Sequence, residues 1–166
     1  MENINKTYRK GAIGALIDEY ERAILDLSQT ISDFSDVELI TIIDGQDARC
    51  ESVQATLAHV VRAGYSYASY VRQISGEQGD FREMVFRNTI SEFQKDMTDF
   101  LIFTENSFKN ITDQQLEEND NQKKIMTSWG QLYDIEQIME HAIVHILRHR
   151  RQLEKFKILL RNTTNK

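Results

Sequence analysis

All four histidines of this 166-residue chain fall in two short stretches. His59 stands alone, whereas His141, His145 and His149 follow one another at four-residue steps. Residues four apart stack on one face of an α-helix, about 6 Å from each other along its axis. Two imidazoles so placed can share a metal ion, because neutral imidazole is a common ligand of zinc, nickel, copper and iron. At about 100° per residue, His145 and His149 lie within roughly 20° of the line through Ile138 and Phe156, and His141 lies roughly 60° off it. His145 and His149 therefore aim at the core seam, and spacing favours them as a ligand pair. The competing reading is polar packing, in which each buried imidazole must find partners or cost about 1–3 kcal/mol. His59 lies on a helix flank with Thr56 and Ala63, and on spacing alone it reads as a helix-edge histidine as readily as a ligand.

Several metal sites built in helical proteins are excluded by inspection. A ferritin-like di-iron centre needs Glu-x-x-His pairs; the residues three before the histidines are Thr56, Ile138, Ala142 and Ile146. Cys-x-x-Cys-His and His-Glu-x-x-His are both absent. A hemerythrin-like centre asks for more histidines than the chain has. What remains is a mononuclear site of about three histidines with open positions, the mark of a catalytic metal rather than a structural one.

The elements that must position these residues are helical. The chain contains no proline, a residue that breaks helix interiors and is frequent in connections. Its length suits one domain, residues 1–166, with one sizeable core. Helical periodicity runs roughly from Lys10 to Ser32, Ser52 to Ser75, Phe81 to Phe108 and Asp134 to Leu160. Asp134 followed by Gln137 reads as a variant capping box opening the last of these. Asp33 to Arg49 is a connection with a turn signal at Asp44-Gly45, and Lys109 to Gly130 is a long polar one. Helices of this length span about 35–42 Å. The expectation is an all-α, up-and-down four-helix bundle.

Charge and cysteine use narrow the partners. The net charge is −6, against the basic face of a nucleic-acid binder. Arg148, Arg150 and Arg151 read as a solvated or partner-facing helix edge. Cys50 is the only cysteine, so no internal disulfide can form, which fits a reducing, cytoplasmic setting. No histidine stands beside it by local spacing, and it reads as a packing residue. Residues 1–10 are polar and no apolar run approaches 18 residues, so neither a leader nor a membrane span is expected. The Asn-x-Thr sequences at Asn5, Asn110 and Asn162 then read as chance matches.

Two of these segments resemble a known family. Ser52-Val53-Gln54-Ala55-Thr56-Leu57-Ala58-His59-Val60 is similar to the second-helix signature of the DinB/YfiT-like proteins. His145-Ile146-Leu147-Arg148-His149-Arg150-Arg151-Gln152 resembles their last-helix signature, and Trp129-Gly130 before the last helix looks familiar too. The resemblance extends over essentially the whole chain in helix order. It implies a four-helix bundle, often a homodimer, with a three-histidine site for a divalent ion, commonly nickel or zinc. Carried over, the ligands are His59, His145 and His149. Arg151 stands where the family often has glycine, and His141 is additional.

Three functions follow as expectations. The first is a metal-dependent enzyme of thiol S-transferase or hydrolase type, acting on a small-molecule thiol or electrophile, with Glu140, Asp44 and the 109–130 segment as candidate contributors to proton transfer. The second is a non-catalytic metal-binding stress-response or ligand-binding module. The third is a bundle whose histidines only pack. A homodimer is expected further because Tyr65, Tyr67 and Tyr70, and Phe86, Phe93, Phe100, Phe103 and Phe108, exceed what one stripe per helix can bury.

Overall fold

The computed structural model describes residues 7–163; Asn5 lies outside them. Five α-helices occur among these residues: α1 (Gly11–Ile31), α2 (Asp36–Ile40), α3 (Val53–Ile74), α4 (Ile90–Ser107) and α5 (Ile135–Thr163). The only strands described are β1 (Ile125–Met126) and β2 (Leu132–Tyr133), paired antiparallel with Ile125 opposite Tyr133. The all-α expectation therefore holds. No described helix is long and apolar enough to cross a membrane.

Each long helix starts where a side chain takes up the free amides of its first turn. Ser52 accepts from the Ala55 amide at 3.0 Å to open α3. At α5 the box read from the sequence is present: Asp134 accepts from the Gln137 amide at 2.9 Å, and the Gln137 side chain accepts from the Asp134 amide at 3.1 Å. The apolar stripes of α1, α3, α4 and α5 then share one core, in which Tyr20, Leu57, Phe100, Ile138 and Phe156 are almost wholly buried.

The third helix is shorter than its periodicity suggests. It begins at Ile90, where Thr89 and Glu92 form a reciprocal cap, and residues 81–89 are not helical. That stretch lies along α3. The Asp80 amide donates to Ser69 Oγ at 2.8 Å, Arg82 stacks 3.6 Å from the Tyr65 ring centre, and Gln54 donates to the Arg87 carbonyl at 2.9 Å. Residues 80 to 87 thus span what residues 69 to 54 span on α3, about 22 Å of helix, or about 3.2 Å per residue, which is extended chain. The Arg87 guanidinium forks onto Asp96 at 2.8 and 3.0 Å and pins the end of this strap to α4.

The strap decides helix direction and corrects the expected up-and-down order. Because it returns the chain to the start of α3, α4 runs parallel to α3: Phe100 packs against Gly64, Arg72 stacks on Phe103, and Glu77 meets Asn110 beyond both helices. Gln94 bonds to Ser28 and Arg9 to Glu105, so α4 is antiparallel to α1. Asp26 pairs with Arg150, and Asp33 with Arg161, so α5 runs parallel to α1. His59 meets His149 and Tyr67 meets His141, so α5 is antiparallel to α3. The four long helices therefore run up, down, down, up.

The 109–130 connection is also more ordered than its polarity implies. Ile111 and Leu116 are buried, and Gly130, at φ +83°, turns the small hairpin. The aromatic surplus is mostly consumed internally. Tyr65, Tyr67, Tyr70, Phe93, Phe100 and Phe108 are buried within the chain, and of the rings that had suggested an interface only Phe86 stands largely exposed.

Candidate metal centre

The crossing of α3 with α5 brings three of the four histidines together. His59 sits two turns into α3, and His145 and His149 occupy successive turns of α5. His145 Nε2 lies 3.0 Å from His59 Nε2 and 3.2 Å from His149 Nε2. One nitrogen from each of the three falls within 4.8 Å of the others. His149 and His145 are buried and His59 is half-buried. The directional reading of α5 is thus correct: His145 and His149 face inward, and His141 does not join them.

Hydrogen bonding among three converging ring nitrogens cannot satisfy them all. His149 Nδ1 lies 2.9 Å from Gln152 Oε1, and a carbonyl oxygen can only accept, so Nδ1 carries the proton and Nε2 presents a lone pair. His145 Nε2 faces that lone pair on one side and His59 Nε2 on the other. If it donates to either, its Nδ1 becomes a buried acceptor with no partner among the described residues. Extra protons are opposed by the surroundings. Burial, then His149, His59 and Arg148, holds His145 at about 2. Burial, offset in part by Gln152, holds His149 at about 4, and burial and nearby arginines lower His59 as well.

Three imidazole nitrogens this close could hold a divalent cation. Ligand nitrogens about 2.0–2.1 Å from one ion, at angles between octahedral and tetrahedral, stand about 2.9–3.4 Å apart. Two of the three spacings, 3.0 and 3.2 Å, match that range, and the third, between His59 and His149, lies within 4.8 Å. All three donors are neutral imidazoles, a set suited to zinc, nickel, copper or iron and not to magnesium or calcium. Gln152 would fix the orientation and tautomer of His149, the usual task of a group behind a ligand. Gln152→Ala should weaken divalent-metal affinity by about 10–100-fold, read by competition with a chelator; unchanged affinity would remove Gln152 from that role.

Two clefts reach the cluster. One, of about 300 Å³, is walled by Gln46, Asp47, Arg49, Cys50, His59, Arg148, His149 and Gln152. The other is walled by Tyr133, Glu140, His141, His145 and Arg148, among others. Sequence reasoning kept Cys50 apart from any histidine, because it compared only near neighbours. The turn Ala48–Cys50 folds against the start of α3 and sets it on the wall shared with His59. Burial pushes the Cys50 thiol up, so it stays protonated at neutral pH.

His141 belongs to an aromatic group instead. Its ring centre lies 5.0 Å from Trp129, 5.6 Å from Tyr67 and 5.8 Å from Tyr133. The hairpin delivers Trp129 and Tyr133 to this group, and Tyr67 also meets His145 edge-on at 5.6 Å. Glu140 reaches a cleft wall, whereas Asp44 is exposed and lines neither cleft. No family model and no curated protein matches the chain.

Proposed function

We propose that this protein holds one divalent metal ion, nickel or zinc, on His59, His145 and His149, and that it is a metal-dependent enzyme of hydrolase or thiol-transferase type. The convergence of the three Nε2 atoms carries the reading. An ion held by three histidines keeps open positions, lowers the pKa of a coordinated water or thiol and polarises the oxygen of an electrophile. The chain's own residues supply the rest. The helix crossing fixes the three donors, Gln152 orients His149, and the Cys50–Arg148 cleft admits a small molecule.

The long helices would form a four-helix bundle of the DinB/YfiT kind, supported by their mutual packing and by the motifs around His59 and His145–Gln152. A cytoplasmic setting is proposed too, supported by the single cysteine, which can form no internal disulfide. A homodimer is proposed as well, now on the exposed Val144, Leu147 and Ile158 of α5 rather than on the aromatic rings; sedimentation at micromolar concentration showing one chain's mass throughout would refute it. The central test is elemental analysis of protein purified without an affinity tag. About one nickel or zinc ion per chain is expected, and metal-free protein that takes up no divalent ion would overturn the reading.

A further inference from the structure

Resting on the metal reading, we propose that the centre binds small carboxylate ligands, with Arg148 as the residue that positions the anion. Arg148 walls both clefts that reach the histidines. Its Nη2 donates to the His149 Nε2 lone pair at 3.3 Å, a bond that an ion on that nitrogen would displace, leaving the guanidinium free beside the centre. Among the described residues no carboxylate lies within ion-pair distance of it, although Arg9, Arg22, Arg49, Arg72, Arg82, Arg87, Arg150 and Arg161 each have one. It is thus an unneutralised cation aimed at the centre.

The charges around the centre call for an anion. The three donors are neutral, so a bound dication keeps its full charge, and among the described residues no carboxylate joins the cluster. Of the charged groups on the 300 Å³ cleft, Asp47 is already engaged by Arg49 at 3.0 Å, which leaves Arg148 uncompensated. On the other wall Glu140 is the only carboxylate, and it does not pair with Arg148 within 4 Å. A guanidinium and a dication this close repel in a partly desolvated cleft. A ligand that puts one oxygen on the metal and the other on the guanidinium removes that repulsion. The planar fork of arginine matches a carboxylate in this way. The cleft's size and its polar wall, with Gln46 and Gln152, suit a small ligand.

The test uses cobalt(II) as the probe metal and acetate as the probe anion. Wild-type protein, Arg148→Gln and Arg148→Lys are loaded with cobalt, and stoichiometry is read from the visible spectrum. Each is then titrated with acetate and, separately, with neutral imidazole. Arg148→Gln should keep one cobalt per chain and bind acetate at least about 10-fold more weakly, the loss of one charge-assisted contact. Arg148→Lys should recover part of the loss, and imidazole affinity should change little in either variant. Equal acetate affinity in wild type and Arg148→Gln, or equal losses for acetate and imidazole, overturns the inference and leaves the metal centre standing. Cobalt binding to none of the three proteins overturns the metal reading and this inference with it.

Discussion

Replacing His145 or His149 with alanine is expected to abolish stoichiometric metal binding. His145 Nε2 is the atom that meets both other imidazoles, at 3.0 and 3.2 Å. Its loss leaves two donors on different helices with nothing between them. Loss of His149 also strands Gln152, whose carbonyl then has no ring to orient. Affinity should fall by well over the roughly 100-fold that removing a supporting group behind a ligand can cost. Chelator competition followed by elemental analysis reads it. His141→Ala is the control: it sits among Trp129, Tyr67 and Tyr133 and should retain one ion per chain. Full occupancy in both His145→Ala and His149→Ala would remove the assignment, and equal loss in His141→Ala would mean that the ligand set is wrong.

Acidification should destabilise the metal-free protein well above the carboxylate range. In the folded chain burial holds His145 at about 2 and His149 at about 4, whereas in the unfolded chain both titrate near 6.5. Between those values the unfolded state binds more protons, so stability falls as pH falls. It is fully present above about 6.5 and is lost progressively below that, toward the folded-state values. Each histidine contributes a slope of up to about 1.4 kcal/mol per pH unit, or about 2–4 kcal/mol for the pair between pH 6.5 and 4.5. Urea midpoints at pH 7, 5.5 and 4.5 in the presence of chelator would show it. His145→Gln should flatten the slope by about one proton. A wild-type midpoint that stays level across the window would contradict the burial of neutral imidazoles. Metal loading should move this loss of stability to lower pH, because the ion binds lone pairs that stay unprotonated in the folded chain.

Part of this centre was legible because an α-helix has a fixed period. Four-residue spacing and the direction of Ile138 and Phe156 separate His145 and His149 from His141, and the fold bears that out. The Asp134–Gln137 cap is equally local, since both of its bonds close within one turn, and it was read correctly. The failures involve distance along the chain. Residues 81–89 carry apolar side chains at spacings a helix could use, yet their partners are on α3: Ser69 for Asp80, Tyr65 for Arg82, Gln54 for Arg87. Tertiary contact outweighs weak propensity there. The extended strap then reverses the direction of α4, which no periodicity within α4 could reveal.

The sequence by itself determined most of the helical spans, their inward faces and the inward histidine pair on α5, because backbone hydrogen bonding closes over four residues and side-chain direction follows from it. Whether His59 was a helix-edge residue or a partner of that pair was decided only by the tertiary structure. Its nearest neighbour at the site is 86 residues away in sequence. The antiparallel packing of α3 on α5 turns a flank histidine into the third member of the cluster. The same packing sets Cys50 and Arg148 on one cleft wall, since adjacency across helices depends on which faces the shared core pulls together and not on spacing along either one.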